Sequence, residues 1–335
     1  MGAGGMGEVY LAHDLNLMSR LVALKILPAE VSKDKERLQR LIHEARAASV
    51  TNHPNIAHIY EIEVTNEISF IVMEYIQGET LRERLRKERL KVTEAIDIAI
   101  QVASALVAVH ASRIAHRDIK PENIILHPEG YIKVLDFGLA KSTGVLLPTS
   151  DPLSSTIAGT LTAPGVLVGT IAYMSPEQIR GVPIDERTDI WSFGVVLCEM
   201  ICGRPTFGGP STGDLIASIL ERDVTSITHF SPECPELLEW IICKCLTKNR
   251  EERYQTAKEL LIDLRRLKHR LEVDPESTHS TRLRARLFRK ASSRRISHSS
   301  KVPLSLGDAV VSLSPASGVE MIKGQKQPGA SRSKI

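Results

Sequence analysis

The chain has 335 residues, of which 42% are hydrophobic and 25% charged, with a formal net charge of +3. Those values fit a soluble globular chain with a sizeable apolar core and exclude a wholly disordered or membrane-embedded one. The charge is split: residues 277–335 carry 12 Lys and Arg against two acids, a net +10, which leaves −7 for residues 1–276.

The start, Met-Gly-Ala-Gly-Gly, has no basic segment followed by an apolar one, so no signal peptide is read there. Residues 2–9 match G-x-G-x-x-G-x-V, with Gly2, Gly4, Gly7 and Val9 at the defining positions. Glycines so spaced let backbone N–H groups come close to phosphate oxygens, although the motif alone is weak. Leu21–Leu27 is a short apolar strand interrupted by Lys25, and a lysine there must find a counter-charge or point into a cleft. Residues 36–50 have apolar positions at helical spacing and carry Glu44, a candidate partner for Lys25. Ile68–Tyr75 reads as another strand.

From Thr80 onward the pattern is mostly helical. Thr93–His110, Ile190–Ile201 and Thr256–Arg270 are the principal helices, the last with basic residues in its final turns. The longest charge-free apolar stretch, Ile98–Ser112, has 15 residues and is short for a membrane span. A small strand-rich front and a larger helical back imply an α+β fold of two lobes with a cleft between them, Gln77-Gly78 serving as hinge. The boundaries read as 1–77 for the first lobe and 78–271 for the second, followed by a Ser- and Arg-rich tail, 272–335, expected to be disordered. Five cysteines (Cys198, Cys202, Cys234, Cys243, Cys245) without a secretory signal point to a reducing, cytoplasmic compartment. Cys243-Lys244-Cys245 lacks the spacing of a zinc site, and all five are expected to be mostly buried.

The most specific signal follows the helix ending near His110. His116-Arg117-Asp118-Ile119-Lys120-Pro121-Glu122-Asn123 matches H-R-D-x-x-x-x-N, and Asp136-Phe137-Gly138 follows a strand at Tyr131–Leu135. With these residues on the page, the chain resembles the bacterial serine/threonine protein kinases of eukaryotic type, from Gly2 to about Leu267. Ser175-Pro176-Glu177, Asp189-Ile190-Trp191-Ser192-Phe193-Gly194 and Arg253 extend the resemblance.

That resemblance implies a bilobal protein-kinase fold and transfer of the γ-phosphoryl group of ATP, with Mg2+, to Ser and Thr of protein substrates. It implies Lys25 on the α- and β-phosphates, held by Glu44, and Asp118 as the group that orients the hydroxyl and accepts its proton. Lys120 would neutralise the moving phosphoryl, and Asn123 and Asp136 would be the magnesium ligands. Val9, Ala23 and Ile125 would sandwich the adenine, with Met73 behind it and Glu74 to Ile76 offering backbone hydrogen bonds. Thr170 would bond Asp118, Asp189 would brace the catalytic loop, and Glu177 and Arg253 would form a structural ion pair. Arg117 would pair with a phosphate on the segment between Asp136 and Glu177, at Thr160 or Thr162, and self-association would serve such autophosphorylation.

Two departures stand against this. Met1 directly precedes Gly2, so the strand expected before the glycine-rich loop is missing, which leaves an edge unpaired and the nucleotide roof incomplete. The alternative reading on that account is a nucleotide-binding pseudokinase scaffold. The tail stops without a membrane helix or sensor region. Its basic charge invites a nucleic-acid reading, but Phe288 is its lone aromatic, which speaks against one.

Overall fold

The computed structural model describes residues 2–4, 7–15, 20–28, 38–39, 42, 52–64, 69–136 and 170–273. The chain divides into two units, 1–281 and 282–335, and every described residue belongs to the first. Residues 274–335 of the expected tail, Glu44, Phe137-Gly138, Thr160 and Thr162 lie outside the described residues, while Glu272 and Val273 continue the last helix.

The front lobe is a five-stranded antiparallel sheet of β1 (Gly2–Gly4), β2 (Gly7–Asp14), β3 (Arg20–Ile26), β4 (Ile59–Val64) and β5 (Ser69–Glu74), in the order β1-β2-β3-β5-β4. The short first strand lies within the glycine-rich segment itself and not before it. Gly2 pairs with Val9, Ala3 with Glu8 and Gly4 with Gly7, so the glycine-rich segment folds into its own short hairpin. Beyond Val9, β2 has β3 as its sole sheet neighbour among the described residues. β3 is central, so Val22, Ala23 and Lys25 are all buried within it. Leu38, Gln39 and Ile42 are helical, as the spacing predicts, and Leu38 is buried in the core.

The second lobe begins with β6 (Glu79–Thr80), which forms a small sheet with β7 (Ile124–Leu126) and β8 (Ile132–Val134). Gly78, in the predicted hinge, lies so close to the Leu126 carbonyl oxygen that a Cβ would collide with it. The helices are α1 (Leu81–Lys87), α2 (Val92–Ala111), α3 (Pro176–Ile179), α4 (Arg187–Cys202), α5 (Thr212–Glu221), α6 (Ile227–Phe230), α7 (Glu236–Cys245) and α8 (Ala257–Val273). α2 runs 20 residues, including Glu94 and Asp97 before the charge-free stretch, and is long and apolar enough to cross a membrane by length and composition only. Its Ala95, Ile96, Ala99, Val102, Ala103, Leu106 and Val109 are buried, and it packs against α4 and α8. α4 is buried on every side. Gly194 admits that packing: a Cβ there would lie 2.6 Å from the Cβ of Cys245 on α7. Cys198, Cys234 and Cys245 are buried, but Cys243 is exposed because it falls on the outer face of α7, contrary to expectation.

Candidate active site

The catalytic loop runs from His116 to Asn123 between α2 and β7, and its shape is fixed by one carboxylate. Asp189, in the first turn of α4, accepts the backbone N–H of His116 (2.7 Å, Oδ2) and of Arg117 (2.7 Å, Oδ1), while His110 Nε2 lies 2.9 Å from Oδ2. Burial alone would raise the Asp189 pKa, but the contact with His110 and the backbone N–H of His116 hold it below the usual carboxylate range. The two N–H groups are thereby satisfied in a dry interior, where an orphaned donor costs about 1–3 kcal/mol.

The buried His116 ring extends this brace. Its Nε2 sits 2.8 Å from the Leu135 carbonyl, and its Nδ1 accepts the Asp118 N–H at 3.3 Å. Burial pushes the His116 pKa down, which favours a neutral ring with the proton on Nε2. The ring thus ties Asp118 on the catalytic loop to the residue preceding Asp136. Arg117 (φ 64°) and Asp136 (φ 57°) both adopt the left-handed region. Such backbone costs on the order of 1–3 kcal/mol for each side-chain-bearing residue and persists where surrounding bonds over-determine it.

The side chains converge accordingly. Lys120 Nζ lies 2.8 Å from Asp118 Oδ2, and Asn123 Nδ2 donates to the same oxygen at 3.0 Å and to the Asp118 carbonyl at 2.9 Å. All three residues are buried. Lys25, buried on β3, reaches Asp136 Oδ2 at 2.9 Å. The partner seen for Lys25 is therefore Asp136, and the proposed pairing with Glu44 falls outside the described residues. Asn123 spends its amide nitrogen on Asp118, which leaves its carbonyl oxygen for another partner, and Asp136 has a second oxygen beyond the one that Lys25 engages. Two hard oxygen donors are the chemistry a magnesium ion takes.

The residues expected around adenine are placed by register. Ala23 pairs with Met73 across β3 and β5, both buried, and Val9 pairs with Lys25 across β2 and β3. Ile125 lies on β7 opposite Thr80, and Ile76 is buried just past β5. One expectation is narrowed. The Glu74 N–H donates to the His58 carbonyl (2.8 Å), and its carboxylate takes Lys133 (2.8 Å), so neither of these groups is free for adenine.

The segment from Thr170 to Ile179 is anchored by α3. Ser175 caps that helix in a capping box with Gln178, whose side-chain amide also donates to the Arg117 carbonyl at 3.2 Å. Glu177 and Arg253 form a two-pronged pair at 2.7 and 3.2 Å, and Arg253 also donates to the carbonyls of Arg187 (2.8 Å) and Thr247 (3.2 Å). Thr170 differs from expectation: among the described residues no hydrogen bond joins its hydroxyl to Asp118, whose carboxylate is met by Lys120 and Asn123.

Sequence reading missed four contributors: His110, Gln178, Arg82 and Glu199. Gln178 had a signal, the Ser-x-x-Gln capping pattern. His110, Arg82 and Glu199 act only through contacts distant in the chain and gave none.

A β-rich lobe over a helical one, with a buried Lys–Asp pair facing a braced Asp-Lys-Asn loop, is the framework of a phosphotransferase. The protein kinase domain description matches residues 1–263, and the chain belongs to the protein kinase family. Its relatives include the serine/threonine-protein kinase PrkC of Bacillus subtilis, 38% identical over 266 residues that make up 79% of this chain and 39% of that protein. The serine/threonine-protein kinase PknB of Mycolicibacterium smegmatis is 37% identical over 272 residues, 80% of this chain and 42% of that one. The chain thus spans about two fifths of the length of the curated relatives it matches. Among solved structures, a mutant of the Mycobacterium tuberculosis PknI kinase domain superposes with a TM-score of 0.60 at 22% identity, covering 79% of this chain and 92% of that one. At that identity the likeness concerns the fold.

Proposed function

We propose that this chain transfers the γ-phosphoryl group of ATP to serine and threonine hydroxyls of protein substrates. The observation that carries the proposal is the meeting of Lys120 and Asn123 on one carboxylate oxygen of Asp118, with Lys25 on Asp136 beside it. Phosphoryl transfer asks a protein chiefly for positioning and charge stabilisation, and these three contacts provide both.

In this reading Asp118 orients the acceptor hydroxyl and takes its proton, held in place by Lys120 and Asn123. Lys120 offers positive charge to the transferring group. Lys25 holds the α- and β-phosphates, with Glu44 as its further support, and the backbone N–H groups of the Gly2, Gly4 and Gly7 hairpin approach the phosphates. Asn123 and Asp136 are the side chains suited to hold Mg2+, which when bound neutralises phosphate charge. Val9, Ala23, Ile125 and Met73 provide the apolar walls for adenine, with the Glu74 carbonyl and the backbone of Ile76 at its edge. A second copy of the chain is a natural first substrate, with Thr160 and Thr162 as acceptors. Five free thiols suit a reducing, cytoplasmic setting.

The test is incubation of the purified chain with ATP, Mg2+ and a generic Ser/Thr protein substrate, with Asp118→Asn as control. Phosphoserine and phosphothreonine formed by the wild type and not by the variant support the reading. Nucleotide binding without transfer by the wild type overturns it in favour of a scaffold.

A further inference from the structure

Arg82, the second residue of α1, lies where three elements meet. Its Nε donates to Glu122 Oε1 at 2.7 Å, in the catalytic loop between Lys120 and Asn123. Its Nη1 donates to Glu199 Oε1 at 2.6 Å, on α4, and its Nη2 donates to the Tyr173 hydroxyl. Tyr173 in turn donates to the other Glu199 oxygen, which closes a ring of three hydrogen bonds. Burial and the neighbouring Glu199 carboxylate raise the Tyr173 pKa, so its hydroxyl keeps the proton that it donates.

The ring is rigid for identifiable reasons. Thr80 caps α1 in a capping box with Glu83, which fixes the backbone from which Arg82 projects. Tyr173 is buried, and its carbonyl accepts the Ser192 hydroxyl at 2.8 Å. Glu199 is buried as well, and a buried carboxylate requires a cation with well-placed donors. A guanidinium supplies three donors in a planar fork to three separate acceptors; a lysine ammonium concentrates its charge at one point and cannot span them.

We infer that Arg82 is a positioning residue for phosphoryl transfer. It acts through Glu122, Glu199 and Tyr173 to hold the catalytic loop and the Thr170–Ser175 segment against α4. The inference rests on the kinase reading above. Glu122 is two residues from Lys120 and one from Asn123, so a shift at Glu122 passes directly to the groups that hold Asp118. Among the described residues no hydrogen bond or ion pair of Arg82, Tyr173 or Glu199 reaches β2, β3 or β5, so the effect should fall on kcat rather than on nucleotide affinity.

The experiment compares steady-state kinetics of the full-length wild type and Arg82→Ala on a protein substrate, with melting curves and ATP affinity measured in parallel. Arg82→Ala should lower kcat by up to about a hundredfold, the loss that a misplacement of roughly 1 Å can bring. The KM for ATP should not change. Guanidinium ion, added well below denaturing concentrations, should restore part of the lost rate, and methylammonium at equal concentration should not. A variant that turns over at the wild-type rate overturns the inference. So does a loss that guanidinium leaves untouched and that follows a lowered melting point, or one shared equally by the KM for ATP. Should the wild type itself transfer no phosphate, the kinase reading falls and this inference with it; if the wild type is active and Arg82→Ala equals it, the inference alone falls.

Discussion

The glycine-rich hairpin and the catalytic loop are built by opposite means. Among the described residues the hairpin is held by main-chain pairing and by Val9, which packs against the core, and beside it Tyr10 and Leu11 are 46% and 48% exposed. The catalytic loop is held by buried charge: Asp189 is fully buried and engages two backbone N–H groups and His110, and Arg253 is buried among Glu177 and two carbonyls. The difference follows from the work each part does. Donating N–H groups to phosphates needs close backbone approach and small residues. Placing a carboxylate, a lysine and an amide on one reacting hydroxyl needs side chains fixed to a fraction of an ångström, which dry and fully satisfied polar contacts achieve.

The largest effect should come from the fixed half. Asp118→Asn should lower kcat by roughly 10²- to 10⁴-fold, the usual worth of a positioned proton acceptor, with ATP affinity by calorimetry retained. Next comes the buried pair behind the loop. Arg253→Met leaves Glu177 as an uncompensated buried carboxylate and should cost about 3–5 kcal/mol in urea unfolding. Asp189→Ala should strand the N–H groups of His116 and Arg117 at about 1–3 kcal/mol each, and it should also lower kcat because the loop relaxes from its left-handed turn. If Arg253→Met lowered kcat as much as Asp189→Ala at equal stability, the division between a structural pair and a loop brace would be broken.

Acid should act on the same half. The buried His116 has a folded pKa below its ordinary value of 6.5, so the unfolded chain binds the extra proton first. The folded form is therefore fully favoured above pH 6.5 and loses stability as the pH falls through that value toward the folded pKa. Melting curves at pH 7.5, 6 and 5 should show this fall, and His116→Asn should flatten the part of it that His116 contributes.

Much of this was legible in the sequence, for a physical reason. Helices and central strands follow from local periodicity, so α2, α4, α8, β3 and β5 lie within a few residues of their predicted ends. Asp118, Lys120 and Asn123 fall within one turn of chain, and their convergence is written into their spacing. What escaped was contact between segments far apart in sequence. Arg82 meets Glu199 across 117 residues, and His110 meets Asp189 across 79. The hairpin of Gly2–Gly4 on Gly7–Val9 was also missed, because main-chain pairing leaves no mark in side-chain pattern when the side chains are mostly absent.

The smallest effect belongs to the outer strand and serves as the control for the comparison. Leu11 pairs with Ala23 on β3, yet its side chain is about half exposed, so little apolar surface is withdrawn from water when it folds. Threonine is β-branched and suits a strand as well as leucine does. Leu11→Thr should therefore change unfolding free energy by no more than about 0.5 kcal/mol, as surface substitutions usually do. Urea titration of Leu11→Thr beside Arg253→Met gives the contrast directly. A loss at Leu11 comparable to that at Arg253 would mean that the outer face of β2 is covered in the folded protein, and that the hairpin half is held by buried side chains after all.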